Sequence, residues 1–394
     1  MHILVVNDDG PPSPHSSPYV HSLVRELQSA GHLVSVCLPH TQRSWIGKAH
    51  IIGQTVKPIY YRPPPLPRPA AGLTLVRGAN DDSETAHGTT HTRPSTRTGV
   101  EEWILVDGTP ASCVQIGLYH FFQDRGPVDL VVSGPNYGRN TTAVFALSSG
   151  TLGGALEAAV CKRRAIALSY AFFSRNHDPV IIAAASRRSV RVIESLWRQW
   201  PDDGSVDLYS VNVPLVEQVE NKEALFTAML QNYWSEGSCF TEVDGSVDGE
   251  AEDEERIREA EGAPQTESDG TGPKPHTHKH FKWSPRFTDV YQSVEKAPPG
   301  NDGWAVKEGF TRYVVAGLVG ITFRETDEGQ HHASQGKLLP NSHAYAWWSV
   351  TAVSVGPFDG FVTWQGAYLR ALQTMTCCLA GAGRKPTKPT RPTR

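Results

Sequence analysis

Asp8 and Asp9 stand side by side in VVNDDG at 5–10, directly behind the apolar run 3–6. Two neighbouring carboxylates repel each other unless a cation neutralises them, and carboxylate oxygens suit hard divalent ions such as Mg²⁺ or Mn²⁺. An isolated Asn-Asp-Asp-Gly serves an Asx turn and helix cap equally well, so the pair alone leaves both readings open. Ser44 closes Gln-Arg-Ser behind a second apolar run, 33–38, and Asn136 lies in VSGPNYGRN at 132–140 behind a third. Two carboxylates, a hydroxyl and an amide carbonyl are a set that a hard ion can use, with water and substrate completing the shell. Ser149, Gly150 and Thr151 open a small-residue stretch of helical pattern, and the free N–H groups and dipole of a helix start favour a phosphate. An ion site beside an anion cradle points to phosphoryl chemistry.

These residues need elements that bring them together. The run 3–6 ends in Asn, Asp and Gly, as a buried strand entering a tight turn does. Val20, Leu23, Val24 and Leu27 recur at helical spacing, and Gly31 supplies a stop. Strands are expected at 33–38, 103–106, 128–132, 165–170 and 207–214, and helices at 148–160 and 179–200. Thr109 is the expected N-cap of a helix that begins at Pro110. Alternation of strand and helix through about residue 215 predicts a doubly wound, mostly parallel, Rossmann-like three-layer α/β sheet. Such sheets bind ligands beyond the carboxyl ends of their strands, where all the residues above would fall.

The 394 residues allow two domains by length. Removing the stretches that look unable to pack leaves one α/β domain over 1–380. Low-complexity insertions are expected at 62–99 and 244–280, and a disordered basic tail at 383–394. His276, His278 and His280 alternate within the second insertion, as metal ligands or as part of a solvated loop. Residues 312–348 show neither period, and the reading is a foreign insertion, either a lineage-specific loop or a retained intron, exposed and outside the core. Glu157 reads as a helix residue facing solvent or a partner, with no chemistry assigned.

Composition narrows the class. A net charge of −4 gives no electrostatic case for a nucleic-acid duplex, and six scattered cysteines without a C-x-x-C pair indicate neither a disulfide framework nor a zinc site. No apolar run is long enough to span a membrane, and no leader pattern precedes the first strand, so a cytoplasmic location is the expectation. No G-x-G-x-x-G follows the first strand, against a dehydrogenase. The acids are adjacent rather than spaced Asp-x-Asp, against a haloacid-dehalogenase-type phosphatase.

Taken together, VVNDDG at 5–10, QRS ending at Ser44, DGTPASCV at 107–114, VSGPNYGRN at 132–140 and SGT at 149–151 resemble the SurE family of metal-dependent phosphatases acting on nucleoside monophosphates. SVNVP at 210–214 is a weaker match. The resemblance implies Asp8, Asp9, Ser44 and Asn136 as ligands of one divalent ion, Mg²⁺ or Mn²⁺. It implies Asn140, Ser149, Gly150 and Thr151 as the phosphate site, and hydrolysis by a water activated at the ion, with Asp8 and Asp9 as the catalytic carboxylates. His40 stands where the family has an aspartate, and Thr142 and Ala143 replace a Gly and Asp of its glycine loop. The family's dimerisation arm falls where the acidic insertion lies, so a homodimer or tetramer is allowed rather than implied. The alternative is a degenerate, non-catalytic nucleotide-binding module.

Overall fold

Ile3, Leu4, Val5 and Val6 have no exposed surface, the mark of a central strand covered on both faces. The computed structural model describes residues 1–64, 88–173, 177–235, 237–243, 280–317 and 322–323. All of them belong to one compact unit, Met1–Val353. Strand β1 (His2–Val6) pairs in parallel with β2 (Leu33–Pro39) on one side. Then come β3 (Ile59–Arg62), β4 (Thr89–His91) and β5 (Trp103–Val106), with β5 parallel to β2. On its other side β1 pairs in parallel with β6 (Leu130–Tyr137), which is followed by β7 (Arg164–Ala171) and β8 (Leu208–Pro214). Antiparallel strands finish both edges. β3 joins β5 and β4 joins β3, while β9 (Ala224–Phe226), β12 (Thr311–Gly317) and β13 (Thr322–Phe323) extend the sheet beyond β8. A separate hairpin is built from β10 (Phe240–Val243) and β11 (His280–Trp283).

Alternation along β1 divides the core. Ile3 and Val5 pack with Leu23, Val24 and Ile193 of helices α1 (Val20–Ser29) and α5 (Pro179–Arg198). Leu4 and Val6 pack with Val114, Leu152 and Ala155 of α2 (Pro110–Tyr119) and α4 (Gly150–Val160). Period-two side chains on one strand thus meet a helix layer on each face, which gives the predicted three layers. Thr109 caps α2, accepting from Ser112 N–H, with Pro110 in the first turn. A short helix, α3 (Thr142–Ser148), precedes α4 at an angle of 64° where a plain loop was expected. Two more, α6 (Thr288–Glu295) and α7 (Asp302–Lys307), precede β12. Among the described residues no single helix is long and apolar enough to cross a membrane.

Three expectations need correction. Residues 312–317 are not outside the core: they form most of β12, a strand of the main sheet in which Arg312 and Val314 are fully buried. The physical reason is pairing with β8 over five successive residues, Arg312↔Asn212 to Ala316↔Leu208. The remainder of 312–348, apart from 322–323, lies outside the described residues. Within the expected insertion 62–99, Thr89–His91 is a strand paired with β3; residues 65–87 lie outside the described residues. β6 continues past 132 through Ser133–Tyr137, with a shift of register between Ser133 and Asn136, so Asn136 sits on the strand's end rather than in a loop. His276, His278, most of the expected insertion 244–280 and the tail 383–394 lie outside the described residues; His280 opens β11.

Candidate functional site

At the end of β1 the turn reading holds. Asn7 makes the turn: its side chain donates to Gly10 O at 2.9 Å and accepts from Gly10 N–H at 3.0 Å. The two carboxylates are thereby released for other work. Asp8 and Asp9 are each only 2% exposed. Thr151 Oγ1 donates to Asp8 Oδ1 at 2.6 Å, and Tyr137 N–H donates to Asp9 Oδ2 at 2.7 Å. Asp8 thus leans on the start of α4, and Asp9 on the bulged end of β6. Gly150 allows the first contact, because a Cβ there would come within 2.8 Å of Asp8 Cβ.

The segment after β2 is strapped across the site from both ends. Arg43 N–H donates to Asp8 O at 2.6 Å, and Gln42 Nε2 to Ser44 Oγ at 2.9 Å. Gly47 N–H then donates to Ser148 O at 2.8 Å. Gly153 makes that approach feasible, since a Cβ there would fall 2.2 Å from Gly47 O. Further on, Lys48 Nζ meets Glu157 Oε2 at 2.6 Å and His50 Nε2 meets it at 3.4 Å, while Gln115 donates to Oε1 at 2.6 Å. Glu157 therefore does not face solvent: it is 3% exposed and ties the Ser44 segment to α4. Burial alone would raise its carboxyl, but hydrogen bonds from Lys48 and Gln115, with the charges of Lys48 and His50, hold it below its ordinary value.

The glycine loop is held from beneath. Asn136 Nδ2 donates to Gly138 O at 2.9 Å, so the hydrogen bond is made by the amide N–H and not by the carbonyl oxygen. Asn140 is fixed three ways: its N–H to Asn212 Oδ1 at 2.8 Å, its Nδ2 to Ser169 Oγ at 2.9 Å, and its carbonyl to Arg312 Nη2 at 2.7 Å. Thr142 stands at φ 68°, a left-handed backbone that a β-branched residue rarely adopts. Asp302 stabilises it, accepting from Thr142 N–H at 2.8 Å and from Leu230 N–H at 2.9 Å. Asp302 and Arg312 have no exposed side-chain surface and lie 3.7 Å apart. Burial pushes the Asp302 carboxyl up and the Arg312 guanidinium down, each opposed by the charge of the other.

A cleft of about 190 Å³ opens over these supports. Asp8, Ser44, Asn136, Asn140 and Ser149 line it; Thr151 and Gly150 abut Asp8, and Asp9 accepts from the lining Tyr137. Ser149 also caps α4, its Oγ accepting from Leu152 N–H at 3.1 Å. The structure thus brings all eight sequence-predicted residues to one place, but gives the Thr151 hydroxyl to Asp8 rather than to the cleft. The oxygen donors fit a hard divalent ion: two buried carboxylates, a hydroxyl and an amide. Among the described residues no group of three or more His, Cys, Asp and Glu could hold a metal ion, so an ion here would need the hydroxyl and amide oxygens beside the two carboxylates.

Sequence reasoning missed Glu157, Asp302, Arg312 and the aromatic side of the cleft, Trp45 and Trp283. Asn212 carried a signal, lying inside the weakly matching SVNVP. Asp302 and Arg312 carried none, since neither a charge on a helix start nor one on a strand announces burial.

A mostly parallel α/β sheet with a cleft at its strand ends, lined by polar side chains and aromatic rings, is the class these observations define. The chain belongs to the SurE family: residues 3–236 match the model described as "Survival protein SurE". It is 39% identical over 255 residues to the "Probable tubulin--tyrosine ligase PBY1" of Saccharomyces cerevisiae, a match covering 59% of this chain and 31% of that protein. It is 40% identical over 161 residues to the "5'-nucleotidase SurE" of Ruegeria pomeroyi, covering 39% of this chain and 60% of that one. The chain therefore spans about a third to two thirds of these relatives. The SurE protein structure from Aquifex aeolicus aligns over 79% of this chain and 92% of that chain, with a TM-score of 0.47 and 20% identity.

Proposed function

We propose that this protein is a divalent-metal-dependent phosphomonoesterase whose leading substrates are nucleoside monophosphates. The observation that carries the reading is the burial of two successive carboxylates, Asp8 and Asp9, beside the Ser44 and Asn136 oxygens and a helix start. Membership of the SurE family and the nucleotidase names of several relatives support it. The match to the yeast relative covers 31% of that protein, and its ligase name is not carried over.

Asp8, Asp9, Ser44 and Asn136 would hold the ion, Mg²⁺ or Mn²⁺. When bound, such an ion polarises a phosphoryl oxygen and lowers the pKa of a coordinated water. The chain's own residues do the rest. Thr151 and Tyr137 N–H orient the two carboxylates, so that their oxygens are fixed before substrate arrives. Asn140, Ser149 and the positive end of α4 hold the phosphate oxygens and the charge that develops on them. Asn212, Ser169 and Arg312 keep Asn140 from moving as that charge grows.

The test is phosphate release from nucleoside monophosphates and simple esters with Mg²⁺, with Mn²⁺ and with excess chelator. Hydrolysis that needs the ion and returns on its re-addition is expected. Tight, metal-dependent nucleotide binding without any release would instead indicate a non-catalytic binding module.

A further inference from the structure

Within that phosphomonoesterase reading, we propose that Trp45 and Trp283 form a stacking wall for a planar aromatic group on the phosphate ester. The cleft would then select nucleotides and aryl phosphates over alkyl phosphates. Both tryptophans line the same cleft as Asp8, Ser44 and Asn136. Their ring centroids are 4.8 Å apart at 60°, and both side chains are half-buried. Phe145, which also lines the cleft, and Phe287 are buried 5.6 and 5.8 Å from the Trp45 ring, so the wall rests on a firm base.

The backbone supplies an independent argument. Trp45 stands at φ 61°, a region that strains a bulky L residue. Such strain persists only where the surroundings over-determine it, and here the Arg43–Asp8 hydrogen bond fixes the segment before Trp45, and the Gly47–Ser148 hydrogen bond and the Lys48–Glu157 ion pair fix it after. The strained residue directly follows Ser44, so one short segment delivers a ligand oxygen and an indole to the same cleft. Trp283 ends β11, beyond the residues 3–236 that match the family model, so part of the wall comes from a hairpin that the match does not cover. An indole offers stacking to any base, because every base has a π-face.

A purely structural cluster, pinning α3, α6 and the hairpin together, predicts a different outcome from a wall. The test compares kcat/KM for adenosine 5′-monophosphate, p-nitrophenyl phosphate and glycerol phosphate in the full chain with Mn²⁺. For Trp283→Leu, the ratio of either aromatic ester to glycerol phosphate should fall roughly ten- to a hundredfold, through KM, the range that base stacking spans. Trp283→Phe should restore most of the ratio, and Trp283→Gln replaces the leucine variant if that one fails to fold. An unchanged ratio in the leucine variant, or in the glutamine variant that replaces it, overturns the wall while leaving the phosphatase reading intact. If the wild-type chain hydrolyses none of the three esters with metal, the phosphatase reading itself fails. The wall is then judged by calorimetric binding of adenosine 5′-monophosphate to wild type and Trp283→Leu, or Trp283→Gln if that one fails to fold, where equal affinity overturns it.

Discussion

Asp8 and Asp9 do different things although they are neighbours, because an extended strand end turns successive side chains apart. Asp8 is oriented by a hydroxyl on α4, and Asp9 by a backbone amide on β6. Asp8→Asn or Asp9→Asn should each lower metal-dependent phosphate release by more than about a hundredfold, with circular dichroism unchanged. Thr151→Val removes a hydrogen bond to a ligand rather than a ligand, and losses of that kind run to about ten- to a hundredfold. It should therefore raise the metal concentration needed for half-maximal activity, whereas a hydroxyl devoted to phosphate would leave that concentration alone. Ser44→Ala should weaken metal binding less than either Asp variant, since a neutral oxygen contributes less than a charged one. The acid pair was legible because adjacency itself is chemically costly. The Thr151–Asp8 contact was not, because the partners are 143 residues apart and only topology joins them.

Among the elements, the central strands were legible and the edges were not. β1, β7 and β8 are mostly apolar and buried along almost their whole length, the pattern that cover on both faces imposes. β3 and β4 lie at a polar, antiparallel edge beside a proline-rich stretch, where little distinguishes a strand from a loop. β12 was misread because its second residue is Arg312, whose burial makes sense only with Asp302 in place. Arg312→Met strands that carboxylate and should destabilise the fold by about 3–5 kcal/mol. Adding Asp302→Asn should recover part of the loss in a chemical unfolding titration, since no charge is then left unpaired. The strap from Lys48 to Glu157 has a pH signature. Its carboxyl is held below its ordinary value of 4.5, so it stabilises the fold above that pH, and the gain disappears as pH falls through the folded value. Wild-type melting temperature should therefore drop on acidification from about pH 5 to below 4, and Glu157→Gln should make that drop shallower.

For the whole molecule, three layers and a site at the strand ends followed from the alternation of apolar runs alone. Trp45 and Trp283, on opposite sides of the chain's length, gave no period to notice, and the cleft they flank exists only in the folded sheet. An ion bound by the native cleft and not by the unfolded chain must stabilise the fold by mass action, about 2.7 kcal/mol at a hundred times its dissociation constant. Mn²⁺ should raise the melting temperature of the wild-type chain in proportion to the logarithm of its concentration, and chelation should reverse the rise. The central claim, that Asp8 and Asp9 hold the ion on which turnover depends, is tested most directly by titrating Mn²⁺ calorimetrically into chelator-treated wild type, Asp8→Asn and Asp9→Asn, with phosphate release followed on the same samples. One equivalent bound by the wild type, regained activity in step with it, and loss of both in each variant is the result expected. Stoichiometric binding and full turnover in both variants would contradict it.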